Sequence, residues 1–161
     1  MARYVKNSLV TAKVEATYGA DAAPTGAANA ILISDQTITP LDAQNIDRDL
    51  VRGAFGASEQ LVGPASVKLS YSVELAGSGA AGTAPAWGQL LQACACSEGV
   101  LASPARVEYM PASTGLKSLT QYYFDDGAFH KLLGSMGDCT LTAKVGERRC
   151  SSSSSRGWTA A

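Results

Sequence analysis

The chain has a single histidine, His130, among 161 residues, and its four cysteines, Cys94, Cys96, Cys139 and Cys150, have no histidine set to complete a metal centre. Cys94 and Cys96 sit two apart in a segment read as helical, where side chains at that offset diverge by about 200°, so they cannot easily share an ion. No metal site is expected. No apolar run approaches the twenty or so residues that span a bilayer, so no membrane crossing is expected. The start, Met1 to Ser8, has two basic residues but no apolar h-region behind them, because Lys13 and Glu15 interrupt the next run. Without an export signal the cysteines read as reduced, partly buried thiols, not as a disulfide framework. An excess of positive charge is missing too: there are 13 basic and 14 acidic residues, and Arg148, Arg149 and Arg156 all fall in the last fourteen positions. Residues 1–147 hold 10 basic and 14 acidic side chains, a net −4. That leaves no basic patch for gripping phosphates.

Catalytic constellations are equally sparse. Asp125-Asp126 beside His130 is the one acid/base grouping, but Asp-Asp-Gly has a sufficient structural role as a hairpin turn, and the nearby serines lack elbow glycines. Gly77-Ser78-Gly79-Ala80-Ala81-Gly82 follows a strand and precedes a helix, the setting of a phosphate-cradling loop. It lacks the Lys-Ser/Thr of a P-loop and any surrounding βαβ repeat, so it reads as a flexible connection. No catalytic residue and no cofactor is expected, and the chain does not read as an enzyme.

What the chain does have is two-residue alternation. In Val67 to Leu75, Val67, Leu69, Tyr71, Val73 and Leu75 point one way and Lys68, Ser70, Ser72 and Glu74 the other, which is a long strand with one wet face. Leu9 to Tyr18 predicts a first strand with Val10, Ala12, Val14 and Ala16 inward and Thr11, Lys13, Glu15 and Thr17 in water. Gly19 to Gly26 reads as a loop. Ala30 to Ile33 and Gln36 to Leu41 suggest further strands, and Pro40 puts the second at an edge or an end. Arg106 to Met110, Leu119 to Phe124 and Ala128 to Leu133 follow, the last two joined through Asp125-Asp126-Gly127 with Gly127 at positive φ. Gly134 to Asp138 then breaks the pattern, and alternation resumes from Cys139 to Val145.

A helix is predicted over about 84–95. Trp87, Leu90, Leu91 and Cys94 recur at i, i+3, i+4 and i+7, a stripe for packing on a sheet, and Thr83 with Pro85 suits the start. Between residues 42 and 64, Asp47, Arg48, Asp49, Arg52 and Glu59 interleave with Ile46, Leu50, Val51, Phe55, Leu61 and Val62. Glycines at 53, 56 and 63 permit reversals, and a long hairpin arm with charges and exposed apolar residues is what a contact between molecules needs; a charged excursion packed on its own domain is the alternative. Asp47, Arg48, Asp49, Arg52 and Phe55 are the candidate contact residues.

At this length the chain is about one domain, able to bury roughly two-thirds of its unfolded surface. Residues 1–147 form the β-rich body and 148–161 differ: five serines, Ser151 to Ser155, followed by Arg156-Gly157-Trp158-Thr159 show no strand or helix period. Two readings stand. One is a serine-rich flexible tail. The other is a shifted reading frame, since codons allowed for Arg149 to Ser153 include a series that reads Pro-Val-Phe-Lys-Phe from one base earlier.

Taken in order, Ala12-Lys13-Val14-Glu15 with Tyr18-Gly19 and Pro24-Thr25, Val67 to Leu75 with Gly77-Ser78-Gly79, Pro85 to Cys94, Tyr122 to Phe124, Asp126-Gly127 and His130 to Gly134 resemble the tail tube (major tail) protein family of long-tailed, lambda-like bacteriophages. The resemblance implies a mainly β fold, an antiparallel sandwich or barrel-like domain with one short flanking helix. It further implies a structural virion protein, made in the bacterial host cytoplasm, that assembles as stacked hexameric rings around a tape-measure protein, meets tail-tip proteins and lets DNA pass without specific binding. It also implies a further apolar strand and a glycine where Arg148 to Ala161 stand. Competing readings are the tube of a contractile injection or type VI-like secretion machine, which shares the ring logic, and a carbohydrate-binding β-sandwich, which would want exposed aromatic platforms where the tyrosines here mostly fall inward.

Overall fold

The computed structural model describes residues 7–43, 45–48, 50, 51, 53, 56 and 58–142, and the backbone of 150–158. Along the chain run β1 (Ser8–Val14), a one-turn helix α1 (Gly26–Asn29), β2 (Ala30–Ile31), β3 (Ile33–Ala43), β4 (Ile46–Asp47), β5 (Gln60–Leu61) and β6 (Ala65–Glu74). Then come α2 (Gly88–Ala93), β7 (Cys96–Ala102), β8 (Ala105–Pro111), β9 (Leu119–Asp125), β10 (Ala128–Thr142) and β11 (Cys150–Trp158). The fold is mainly β, as the alternation predicts, and α1 is a second helix that the sequence pattern does not announce.

Seven strands make one antiparallel sheet in the order β2-β1-β9-β10-β11-β6-β3. Its two edge strands, β2 and β3, are separated in sequence by Leu32 alone. Since consecutive Cα atoms are about 3.8 Å apart, the two edges must meet at that residue, and the sheet rolls up on itself. Barrel-like closure therefore follows from connectivity. Pro40 lies on edge strand β3, where a missing N–H is tolerated.

The rolled sheet encloses Val10 and Ala12 of β1, Leu119 and Tyr123 of β9, Leu132 of β10 and Val67, Leu69, Tyr71 and Val73 of β6, with Leu90 and Ala93 of α2 closing one side. The β6 alternation holds. Across the interior, the Tyr71 hydroxyl donates to Gln121 Oε1 at 3.1 Å, and Gln121 Nε2 donates to Ser135 Oγ at 3.1 Å, so these three buried side chains satisfy one another.

Three expectations need correcting. Strand β1 stops at Val14, and Thr11 and Glu15, expected in water, are buried. The segment after β1 folds back over that face: the Ala22 N–H donates to Thr120 Oγ1 at 3.1 Å, and Gly26 lies against Leu9. The interruption at Gly134 to Asp138 is a bulge inside one fifteen-residue strand; the register slips between Leu132 and Ser135 against β9, with Gly134 at φ 61. Helix α2 covers only Gly88–Ala93. Its flanks are turns, with Gly88 N–H bonded to Pro85 O at 2.9 Å, and Ala95 at φ 58 ends the helical path and redirects the chain into β7, a strand without clean alternation.

The backbone of the serine run lies as β11 between β10 and β6, with Ser151, Ser153 and Ser155 in register with Val73, Tyr71 and Leu69. A ladder needs only backbone donors and acceptors, so a run with no hydrophobic period can still close a sheet. The strand expected over Cys139 to Val145 is described as far as Thr142; its remainder lies outside the described residues.

Candidate assembly surface

Beyond Ala43 and Ala65 the β3–β6 ladder continues as the arm, where β4 pairs with β5 through Ile46↔Leu61 and Asp47↔Gln60. Among the described residues, Asp47, Arg48 and Glu59 of the arm are engaged internally. Gln60 Nε2 donates to Asp47 Oδ1 at 2.6 Å, Asn45 Nδ2 to Gln60 Oε1 at 3.3 Å, and Arg48 Nη1 lies 3.7 Å from Glu59 Oε2. Lys68 pairs with Asp42 at the base. Exposed pairs of this kind contribute about 0–1 kcal/mol each, enough to bias the hairpin and little more. Ile46, Leu50, Val51, Leu61 and Val62 all remain exposed. Of the candidate contact residues, the structure thus gives Asp47 and Arg48 intramolecular partners; Asp49, Arg52 and Phe55 lie outside the described residues.

The free edge of β3 is a poor template for a neighbouring strand. Its pairing with β6 slips between Ser34 and Thr37 and again between Thr39 and Asp42, leaving Thr37–Thr39 as the longest unbroken stretch, with Pro40 directly after. Bulges and proline are the usual protection of an edge. A second hairpin, β7–β8, stands apart as its own two-stranded sheet and exposes Val100, Leu101 and Met110. Sequence reasoning missed β7; the nearest signal was the strand pattern of Arg106 to Met110, which needs a partner.

Among the residues expected on the helix stripe, Leu90 is buried and Trp87 packs against the core, while Leu91 and Cys94 are half-buried. Trp87 Nε1 donates to Ala76 O at 2.8 Å, and its ring lies 6.1 Å from that of Tyr109, which ties α2 to both the glycine loop and β8. Tyr109 crosses directly over Gly88, where an added Cβ would fall 2.0 Å from the tyrosine oxygen. The Tyr109 hydroxyl donates to Glu98 Oε2 at 2.8 Å, and Gln92, buried on α2, donates to the same oxygen at 3.0 Å and accepts from Lys117 Nζ at 3.0 Å. Burial and then the Glu98 carboxylate push the Tyr109 phenol up. Burial, with Cys139 next to it, pushes the Cys94 thiol up to about 12.

Glu15, which the alternation places in water, is a buried carboxylate with four hydrogen-bond donors. Glu15 Oε1 accepts from Thr120 Oγ1 at 2.9 Å and the Gly134 N–H at 2.8 Å; Oε2 accepts from Ser118 Oγ at 2.5 Å and the Gly19 N–H at 2.8 Å. Burial alone raises its pKa, but these four donors outweigh burial and hold it below the ordinary value. Nearby, Asp21 accepts from the Lys131 ammonium, the Tyr122 hydroxyl at 2.7 Å and the Ala23 N–H at 2.9 Å, which brings it down to about 2.

The chemical candidates resolve into structure. Asp126 at φ 41 and Gly127 at φ 92 make a two-residue hairpin turn, and Asn7 Nδ2 donates to Asp126 Oδ1 at 2.9 Å. The His130 ring stacks on Tyr123 with centroids 6.0 Å apart. Ser78 Oγ, in the glycine loop, bonds to Thr83 O at 2.8 Å, closing the loop on itself. Among the described residues no group of His, Cys, Asp or Glu could hold a metal, and no helix is long and apolar enough to cross a membrane. Phe124 and Phe129 are exposed and in contact at 4.9 Å between centroids, an aromatic surface that the inward tyrosine pattern did not suggest.

The family model described as phage tail tube protein matches residues 6–156, nearly the whole chain and including the serine run. The chain belongs to the phage tail tube protein family. A comparison with curated proteins finds no match. As a tail tube protein it is a structural virion component that takes part in a tube of like subunits. The segments that resemble the family in sequence also meet in space: Glu15, Gly19 and Gly134, far apart along the chain, converge on one carboxylate.

Proposed function

We propose that copies of this chain close laterally into six-fold rings, that the rings stack into a hollow tube around a tape-measure protein, and that DNA leaves through the bore without being bound. The family match over residues 6–156 carries this reading. The structure supports it through the arm, in which Asp47 and Arg48 have partners of their own and Ile46, Leu50, Val51, Leu61 and Val62 are exposed. Head-to-tail contacts that complete a rotation give a closed ring, and contacts along the axis do not close and give a polymer. Each obligate contact has to bury on the order of 2,000 Å² or more, an area one sheet edge broken at two places cannot supply, so the arm and the β7–β8 hairpin contribute most of it.

The acidic balance of residues 1–147 suits a conduit. DNA carries one negative charge per roughly 1.7 Å, and basic walls would hold it. A net negative wall repels it only over about 8 Å at physiological salt, which keeps the strand off the surface without opposing passage. The protein is made in the host cytoplasm and ends in the virion, where tail-tip proteins meet the tube. Negative-stain microscopy of the purified chain at several concentrations tests the reading: rings or tubes are expected, and a strict monomer at every concentration would refute it. A refined tube with a bore lined by lysine and arginine would refute the conduit electrostatics.

A further inference from the structure

The exposed arm and an apolar groove lie at opposite ends of one strand. β6 leaves the arm at Ala65 and ends at Glu74, and ten residues at about 3.3 Å each separate those ends by roughly 30 Å. At the far end, where β2 and β3 part and the chain after β6 turns back toward α2, opens a groove of about 520 Å³ lined by Ile31, Leu32, Val73, Ala76, Ala86 and Trp87. Leu32 stands on it 90% exposed. Its position is imposed by the fold, because it is the single residue that carries the chain from one sheet edge to the other. A leucine fixed in water beside an unfilled apolar groove is half of a contact.

The arm supplies the other half. Val62 is 83% exposed and Val51 wholly so, and Ile46 and Leu61, paired across the arm, are exposed as well. Asp47 and Arg48 already have partners within the arm, so burying its exposed apolar residues strands neither of those two charges. A protomer's own arm projects from the opposite end of β6, so it cannot reach its own groove. We propose that the groove bounded by Ile31, Leu32, Val73 and Trp87 receives the apolar arm of a second copy of this chain. Donor and acceptor are different surfaces at opposite ends of β6, so the contact is heterologous, and as a contact whose repeat does not close it joins successive layers instead of neighbours in one ring. The proposal rests on the reading of the protein as a tube subunit and specifies the seat through which copies stack.

The test uses the full chain with two surface variants, Leu32→Asp in the groove and Val62→Asp on the arm, followed by sedimentation velocity and negative-stain microscopy. Both positions are exposed, so each variant should melt with the wild type. Each alone should lose stacked assemblies. Assembled separately and then mixed, L32D can pass its intact arms into the intact grooves of V62D, so the mixture should form a species of twice the mass that neither variant forms alone, and nothing longer. An L32D chain that stacks like the wild type, or a mixture that yields no such species, overturns the groove while leaving the assembly reading intact. A wild type that never associates refutes both.

Discussion

Replacing Glu15 by glutamine should cost the fold about 3 kcal/mol. Each carboxylate oxygen accepts one hydroxyl, from Thr120 or Ser118, and one backbone N–H, from Gly134 or Gly19. An amide keeps one oxygen and puts an NH2 where the other stood. The hydroxyl facing that NH2 can rotate and accept, but the glycine N–H cannot, and a buried donor left unpaired costs roughly 1–3 kcal/mol. The bonds that survive fall from charge-assisted strength, about 1.5–3 kcal/mol each, to about 1. For a domain of this size each kcal/mol moves the midpoint by about 2–4 °C, so E15Q should melt roughly 6–12 °C below the wild type. The pH dependence carries a sign. A carboxylate whose folded pKa is depressed stabilises fully above its unfolded value and loses that contribution as pH falls through the folded value. The gap between wild type and E15Q should therefore be constant above the ordinary 4.5 and shrink below it. Thermal melts by circular dichroism across acid and neutral pH measure both. A midpoint within about 2 °C of wild type near neutrality, or a gap that persists undiminished in strong acid, would refute the reasoning.

The same logic applies to Asp21, held down to about 2 by Lys131, Tyr122 and Ala23: the cover it gives the outer face of β9 should persist above the ordinary 3.8 and loosen as pH falls toward about 2, seen as faster amide exchange at Ala22, with D21N loose at every pH. Gly88→Ala should destabilise by pushing Tyr109 off Glu98, and the G88A/Y109F double variant should lose less than the sum of the singles, read by urea melts, because Tyr109→Phe removes the atom at 2.0 Å. Cys139, exposed on β10, should alkylate in the native protein, whereas Cys94, with its thiol pushed up to about 12, should react only on unfolding, as peptide mass spectrometry would show. A chain ending at residue 149 should lose its cooperative thermal transition, since removing β11 unpairs both β10 and β6; a melt matching the full chain would show that the serine strand contributes nothing.

Alternation was legible where one face is core and the other water: β6 reads directly from Val67, Leu69, Tyr71 and Val73. It failed where both faces are covered. Thr11 and Glu15 look like wet-face residues because nothing local announces that the segment carrying Asp21 and Gly26 folds back over them. A bulge also hides from pattern reading, because Gly134 at φ 61 resembles a terminator when its N–H is in fact committed to Glu15. The stripe of Trp87, Leu90, Leu91 and Cys94 predicts a longer helix than α2, because Trp87 and Cys94 lie at or beyond its ends. The arm was legible as an apolar and charged excursion; that Asp47 and Arg48 would find partners within it was not, because Asp47 and Gln60 meet only once the hairpin register is set.

A subunit of a tube has to be stable alone and unfinished on its surface, and β6 shows how one strand meets both demands. Its middle, Leu69 and Tyr71, is at most 1% exposed and is gripped by β3 and β11 on either side. Its two ends lead to the exposed arm and to the apolar groove. On the proposed stacking contact, folding free energy concentrates at the centre of β6 and association surface at its extremities, so substitutions should separate by position. Changes at Glu15 or Gly88 should lower the melting point before they affect assembly, and changes at Leu32 or Val62 should abolish stacking in a chain that melts as before. A variant set in which the two properties fell together at every position would mean that the protomer folds only as part of the assembly, and that the interior packing described for the single chain is insufficient to hold it.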